Sequence, residues 1–136
     1  MIVVDASSLV KYVLHEENWK DVSYFVKERK PLYSVDHVVK EVGNAVWKHC
    51  CLRRVISSGK ALKLYQSFMK LFQTGVIVAE SEEAYLDAAL QIALDYGVTF
   101  YDSLYLAQAQ RYGEFLTSDE EQADIANQLG IKVYLI

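Results

Sequence analysis

Five short apolar runs recur along the chain, and each is too brief to form a helix by itself. The first, at residues 2–4, is entirely β-branched and ends at Asp5, as a buried N-terminal strand would. The third run is also rich in β-branched residues. The runs predict five strands, at residues 2–4, 32–35, 76–79, 114–117 and 132–135.

The segments between these runs repeat apolar residues every three or four positions, which is the period of an amphipathic helix. Asp36 follows the second run and could cap a helix that begins near His37. The helix from about Ser58 ends at Gly75, and its predicted inward residues are Ala61, Leu62, Tyr65, Phe68, Met69 and Phe72. Further helices are predicted shortly after residue 5 and at about 19–29, 84–96, 99–112 and 119–129.

Strands therefore alternate with helices from one end of the chain to the other. This order predicts an α/β fold of three layers (α/β/α), with a short parallel central sheet of about five strands covered by helices on both sides. Ligands of such folds bind where the carboxyl ends of the strands open.

Length and composition limit the number of domains. At 136 residues with 52% hydrophobic content, the chain can bury one core, so we expect a single domain over residues 1–136. It contains neither a signal-peptide pattern nor the ~20 continuous apolar residues of a membrane span, and we expect a soluble, cytoplasmic protein. The only cysteines, Cys50 and Cys51, are adjacent in a helical pattern and predict no disulfide.

The charges are unevenly distributed, although the formal net charge is only -4. Residues 37–74 hold seven Lys or Arg side chains against Glu41 alone, whereas residues 75–136 hold eleven acidic side chains against Arg111 and Lys132. Solvated helix faces would explain both groups. A basic surface beside an acidic pocket would also suit a protein that binds RNA.

Three aspartates are candidates for a site at the strand ends. Asp5 and Asp119 each come directly after a predicted strand or its turn, where a helix cap is an equally good explanation. Thr117 and Glu120 could form a capping box beside Asp119. Asp102 lies three residues after Thr99, a spacing that also fits a capping box.

Glu41 is the fourth candidate. Helical projection places it at the margin of the apolar stripe formed by Val38, Val42 and Ala45, so its carboxylate could face a cleft. The common alternative is a solvated Glu that pairs with Lys40 or Lys48.

The four carboxylates are more informative together than singly. Parallel strands would bring Asp5, Glu41, Asp102 and Asp119 to one rim, and clustered carboxylates repel unless a hard cation lies among them. We therefore expect a Mg²⁺ or Mn²⁺ site suited to phosphodiester cleavage. Ser7 and Thr117 could orient these ligands through their hydroxyls.

The motifs around these acids resemble those of PIN domains, and specifically of the VapC-type toxins of prokaryotic toxin–antitoxin pairs. The similar segments, in family order, are VVDASSLVK at 3–11, EVGNA at 41–45, TFYDSLYLA at 99–107, LTSD at 116–119 and the closing strand GIKV at 130–133. Each motif is short, but their order and spacing cover essentially the whole chain.

The resemblance implies a Mg²⁺- or Mn²⁺-dependent endoribonuclease that acts on RNA. It also implies a homodimer and inhibition by a small antitoxin protein. By this match Asp5, Glu41, Asp102 and Asp119 form the acidic quartet, and Asn44 falls where the family often has a supporting Asn. Gly43 lies in mid-helix, where close approach of a neighbour or of substrate is one explanation.

Other readings of the chain remain open. A phosphoacceptor signalling domain also places carboxylates around Mg²⁺, but it needs paired acids where this chain has only Asp5, and an Asp where it has Glu80. A non-catalytic PIN-like domain that binds RNA or protein is the main alternative. Trp47 projects away from the apolar stripe and could stack a base or anchor a partner, or be covered by another helix. The three histidines show no zinc-ligand spacing.

Overall fold

The computed structural model describes residues 1–136 and contains one sheet of five parallel strands. The strands are β1 (Ile2–Val4), β2 (Leu32–Val35), β3 (Ile77–Glu80), β4 (Glu114–Thr117) and β5 (Lys132–Leu135). The helices are α1 (Ala6–Leu14), α2 (Trp19–Glu28), α3 (Val38–Trp47), α4 (Ser58–Gln73), α5 (Leu86–Tyr96), α6 (Phe100–Tyr112) and α7 (Glu120–Gln128). A π-helical segment, Lys48–Leu52, extends α3, and a 3₁₀ helix, Glu82–Tyr85, precedes α5. The predicted α/β fold with a parallel sheet is confirmed.

The strand order is β3-β2-β1-β4-β5, which means that the chain reverses its direction of travel across the sheet between β3 and β4. The strands on either side of this reversal, β1 and β4, are neighbours, with Val4 paired to Leu116. Ligands of open α/β sheets bind at such a topological switch point, outside the carboxyl ends of the strands. The order therefore makes the ends of β1 and β4 the favoured position for a site.

The helices form two layers with the sheet between them. Helix α1 packs against α2, α3 and α4, whereas α6 packs against α5 and α7 and against strands β1, β2 and β4. Right-handed crossovers place the helices of the two directions of travel on opposite faces of the sheet, and this accounts for the division. None of the helices combines the length and apolarity required to cross a bilayer.

The central strands β1 and β4 are buried on both faces, and this burial fixes the position of their carboxyl ends. Ile2, Val3 and Val4 of β1 and Phe115 and Leu116 of β4 are all at most 2% exposed. Full burial of a Val, Ile, Leu or Phe side chain stabilises a fold by roughly 1.5–3 kcal/mol. The carboxyl ends of β1 and β4 are thus supported by fully buried side chains of the core.

The structure corrects several local predictions. Strand β3 begins one residue later than expected, and the helix expected from Ala84 begins with the 3₁₀ turn. Asp36 does not cap α3, because its Oδ1 accepts a hydrogen bond from the backbone N–H of Glu82 at 3.2 Å. Leu62, predicted to face inward, is 65% exposed, since α4 contacts the rest of the molecule along a narrower stripe than its sequence suggests.

Gly43 in the middle of α3 is explained by the ring of Tyr65 on α4. A Cβ at position 43 would lie 3.1 Å from Cε1 of that ring. The Tyr65 hydroxyl donates to the carbonyl oxygen of Val39 at 2.8 Å, which anchors the ring against α3. The absence of a side chain at position 43 therefore lets α3 and α4 approach closely.

Candidate active site

An open cavity of about 460 Å³ lies at the carboxyl ends of β1 and β4, and all four predicted acidic residues line it. Its wall contains Asp5, Glu41, Asp102 and Asp119, together with Ser7 and Asn44 from the predicted supporting set. These residues come from the end of β1, from α1, from α3, from the start of α6 and from the start of α7. The fold brings together four carboxylates that are dispersed over more than a hundred positions of the chain.

Asp5 is the most enclosed of the four, at 1% exposure. Its Oδ1 accepts hydrogen bonds from the Ser7 hydroxyl at 2.6 Å and from the backbone N–H of Ser8 at 3.2 Å. Its Oδ2 accepts from the Thr117 hydroxyl at 2.6 Å and, more weakly, from Nε2 of Gln122 at 3.4 Å. Asp5 is thus the N-cap of α1 and also lines the cavity, so the capping interpretation is confirmed and its role in a site stays a prediction.

Burial raises the pKa of Asp5 to about 6, because desolvation penalises the carboxylate more than its hydrogen bonds from Ser7, Thr117 and Ser8 favour it. The charge of Asp102 raises the pKa further. A carboxyl in this state gains from a nearby cation, which favours the ionised form.

The Asp119 carboxylate caps the next helix by itself. Its Oδ1 accepts from the backbone N–H of Gln122 at 3.1 Å. The expected capping box between Thr117 and Glu120 is wrong, because Thr117 ends β4 and turns its hydroxyl to Asp5. Thr117 also accepts from the backbone N–H of Asp119 at 3.1 Å, so one hydroxyl connects the two aspartates.

Asp102 lies in the first turn of α6, one turn away from the Thr99 cap. The Thr99 hydroxyl accepts from the backbone N–H of Asp102 at 3.2 Å, which is half of the predicted capping box. Burial raises the pKa of Asp102, and the negative charges of Glu41 and Asp119 raise it further, against a lowering by Thr99. The carboxylates therefore interact unfavourably with each other, as residues that share a cation site would.

Glu41 does not pair with either lysine that the sequence suggested. Its Oε1 accepts a hydrogen bond from the Tyr105 hydroxyl at 2.8 Å, and Nε2 of His37 lies 2.6 Å from the same oxygen. The contact with His37 is close, although it is not aligned as a hydrogen bond. Burial, and then the charge of Glu41, raise the pKa of Tyr105 far above its ordinary value, so the hydroxyl remains a donor.

Sequence reasoning missed His37, Tyr105 and Gln122. Two of them were detectable by helical spacing, because His37 precedes Glu41 by four residues and Tyr105 follows Asp102 by three. Gln122 carried no such signal, since a Gln in the first turn of a helix is usually solvated.

Two lysines bring positive charge to the wall of the cavity. Lys48, at the junction of α3 with the π-helical segment, and Lys11 of α1 both line it. Nζ of Lys11 donates to the backbone carbonyl of Ile136 at 3.0 Å, which restrains its position. Cations beside a carboxylate cluster are suited to the phosphate groups of a polyanion.

The residues present fit a hard divalent cation in their chemistry. All the candidate ligands are carboxylate or amide oxygens, which are the donors that Mg²⁺ and Mn²⁺ prefer. Oε1 of Gln122, whose amide nitrogen contacts the Asp5 carboxylate, is buried without a hydrogen-bond partner within the protein. No three of these side chains converge tightly enough to form a ready-made coordination shell, so waters would complete the shell of a bound ion.

The fold and this site define a family. The chain belongs to the PIN-domain family, whose model, described as PIN domain, matches residues 2–128. The resemblance that the sequence motifs indicated is therefore confirmed, and so is the fold class.

Similar proteins are known from Pyrobaculum aerophilum. One, named Ribonuclease VapC3, is 30% identical over 124 residues, which are 90% of this chain and 92% of that protein. Another, named Exonuclease VapC9, is 30% identical over 122 residues, which are 88% of this chain and 80% of that protein. The crystal structure of PAE2754 from the same organism superposes with a TM-score of 0.69 at 26% identity, and covers 97% of this chain and 89% of that one.

Proposed function

We propose that this protein is a metal-dependent endoribonuclease that cleaves phosphodiester bonds of RNA. The observation that carries the proposal is the cavity at the switch point in a chain of the PIN-domain family. Four carboxylates line this one cavity, those of Asp5, Glu41, Asp102 and Asp119. Relatives named as a ribonuclease and an exonuclease support a nuclease function. A single domain, residues 1–136, would carry the whole activity.

The four carboxylates would hold Mg²⁺ or Mn²⁺. When bound, such a cation lowers the pKa of a water and neutralises charge on the phosphate that is attacked. Asp5 would be the least mobile ligand, because Ser7, Thr117 and the N-terminus of α1 hold its carboxylate. The Thr99 hydroxyl holds the backbone N–H of Asp102 in the first turn of α6, and Asp119 is the N-cap of α7, where its own carboxylate accepts from the backbone N–H of Gln122.

Other residues would bind the substrate. Asn44, one turn after Glu41, is exposed on the cavity wall, where its amide could donate to a phosphate or a base. Lys11 and Lys48 would contribute charge-assisted contacts to the RNA backbone. The openness of the cavity to solvent suits a flexible single strand better than a duplex.

The basic surface beside the cavity would extend this contact. It consists of the exposed cations of α3, of the π-helical segment, of the two residues that follow this segment and of α4, which are Lys40, Lys48, Arg53, Arg54, Lys60, Lys63 and Lys70. No salt bridge neutralises any of them within the protein. Unpaired surface cations raise the affinity for a phosphate backbone in a salt-dependent manner.

The decisive experiment measures cleavage of single-stranded RNA by the purified protein. We expect cleavage with Mg²⁺ or Mn²⁺, loss of cleavage in EDTA, and a large loss in Asp5→Asn and Asp102→Asn. A circular RNA would separate the two activities named for the relatives, because only an endonuclease cuts a chain without ends. Undiminished cleavage by both variants would contradict the proposal.

The biological setting is part of the proposal. Names of the VapC type suggest the toxin of a toxin–antitoxin pair, so we propose a cytoplasmic homodimer that a small antitoxin protein inhibits. Induction of the wild-type chain should arrest growth and fragment cellular RNA, whereas Asp5→Asn should do neither. Equal toxicity of the two would instead favour a non-catalytic PIN-like domain that acts by binding.

A further inference from the structure

Two side chains contact one oxygen of Glu41, and one of them donates a hydrogen bond to it. The Tyr105 hydroxyl donates to Oε1 at 2.8 Å, and Nε2 of His37 lies 2.6 Å from that same atom. Oε2 accepts no hydrogen bond within the protein. The Glu41 side chain is one-third exposed and lines the cavity, so its free oxygen has access to the site.

The two groups that contact Oε1 are themselves immobile. Tyr105 is 1% exposed and His37 is 5% exposed, and their rings pack against each other with centroids 4.7 Å apart. Nδ1 of His37 lies 3.9 Å from a carboxylate oxygen of Glu82, on the far side of the ring. Neither side chain can leave Glu41 without opening the core.

Glu41 needs such restraint more than the three aspartates do. A Glu side chain has one more rotatable bond than Asp, so more conformational entropy is lost when it is ordered. Asp5 and Asp119 are fixed by capping hydrogen bonds to helix N-termini. Glu41 stands in the first turn of α3, but its carboxylate accepts no capping hydrogen bond from the backbone.

We propose that Tyr105 and His37 are positioning residues, which hold Glu41 by Oε1 and leave Oε2 to contact a divalent cation or its water. The inference rests on the proposed function, and it adds to the site two residues that would act through Glu41. Tyr105 lies one turn beyond Asp102 on α6, so the same helix supplies one carboxylate and the restraint on another. Partners of this kind typically contribute 10–100-fold to metal affinity or activity.

The test is Tyr105→Phe, which removes the hydroxyl and keeps the ring. We expect about 10-fold weaker Mn²⁺ binding, measured by calorimetry or by the EPR signal of free Mn²⁺. The Mn²⁺ concentration for half-maximal RNA cleavage should rise by a similar factor. His37→Leu should weaken Mn²⁺ binding in the same direction.

Tyr112→Phe is a matched control on the same helix. The Tyr112 hydroxyl also donates to a carboxylate, Oε2 of Glu80, at 2.9 Å, but Glu80 does not line the cavity. Its loss should leave Mn²⁺ affinity unchanged. Circular dichroism and thermal unfolding would establish that each variant is folded.

A double-mutant cycle separates positioning from a general structural effect. In a Glu41→Gln background, Tyr105→Phe should cause no further loss of Mn²⁺ affinity, because Tyr105 acts only through Glu41. Equal losses in both backgrounds would overturn the inference. Wild-type Mn²⁺ affinity in folded Tyr105→Phe and His37→Leu would also overturn the inference. In that case, cleavage of RNA by the wild type would leave the proposed function intact. A wild-type protein that neither binds Mn²⁺ nor cleaves RNA would overturn both.

Discussion

The hydroxyl of Thr117 donates to Oδ2 of Asp5 at 2.6 Å, across 112 residues of sequence. The bond joins the carboxyl ends of β1 and β4, the two strands that flank the switch point. The Thr117 hydroxyl is one of the few donors to the Asp5 carboxylate, which has almost no contact with water. Removing this donor should therefore destabilise the fold where Asp5 is ionised.

Thr117→Val keeps the shape of the side chain and deletes its hydroxyl. We expect the free energy of unfolding at pH 7 to fall by about 1–3 kcal/mol, because a buried carboxylate loses a hydrogen bond. At pH 4 the loss should be smaller, since Asp5 is then protonated. Thr74→Val is the control, because the Thr74 hydroxyl donates to the Lys70 carbonyl on the surface, and urea denaturation would measure both.

The raised pKa of Asp5 predicts a pH dependence of stability. The folded protein releases this proton at about pH 6, whereas the unfolded chain releases it near its ordinary value of 3.8. Between these values the folded state binds the extra proton, so the contribution of Asp5 to stability is greatest below pH 3.8 and is lost as the pH rises through about 6.

Asp5→Asn should remove this dependence. The unfolding free energy of the variant relative to wild type should rise between about pH 4 and pH 6 by as much as ~3 kcal/mol, measured in EDTA. The comparison with wild type cancels the other titrating groups. A difference that stays constant over this range would show that Asp5 has an ordinary pKa.

A divalent cation should stabilise the folded protein. An ion that binds only the folded state adds about 2.7 kcal/mol at 100 times its dissociation constant. We expect Mg²⁺ to raise the Tm of the wild type more than KCl of equal ionic strength does, and to raise that of Asp102→Asn much less. Asp95→Asn is the matched control, because Asp95 lies on α5 outside the cavity.

Gly43 and Tyr65 should be coupled in stability. Gly43→Ala gains about 1 kcal/mol of helix propensity, but its Cβ would meet the anchored Tyr65 ring at 3.1 Å. In the wild-type background we expect a net loss of about 1 kcal/mol from this overpacking. In a Tyr65→Leu background the same change should be stabilising, and additive effects in the two backgrounds would contradict this explanation.

Reversing the charge of Arg53 and Arg54 should weaken RNA binding and reduce its dependence on salt concentration. Both side chains are exposed, directly after the π-helical segment that places Lys48 in the cavity wall. Lys27→Glu with Lys30→Glu is the control, because these residues lie near the amino end of β2, whereas the cavity lies at the carboxyl ends of the strands. Equal salt dependence in the two double variants would remove the role proposed for the basic surface.

Local patterns were sufficient for most of the architecture. Strands β1, β2, β4 and β5 have the bounds expected from their apolar runs, and Gly75 and Thr99 mark helix ends as predicted. Strand β3 was misplaced by one residue because Glu80, a polar residue after the apolar run, pairs with Val35 of β2. Its carboxylate accepts hydrogen bonds from Tyr85, Gln108 and Tyr112, which the local pattern does not reveal.

The predicted quartet could be named from sequence because Asp5 and Asp119 follow strands, and these ends must meet if the sheet is parallel. Their hydrogen bonds could not be named in the same way. Thr117 had a plausible local partner in Glu120, and Glu41 had two in Lys40 and Lys48. The structure replaced each of these neighbours with a distant residue.

Periodicity and residue type therefore decided which segments are helices and strands and which edge of the sheet carries the acids, because both depend on interactions within a few residues. The partner of each polar side chain depended on tertiary packing. A buried Thr117 or Tyr105 hydroxyl must find an acceptor inside the core, and the acceptors within reach, Asp5 and Glu41, come near only when distant segments fold against one another.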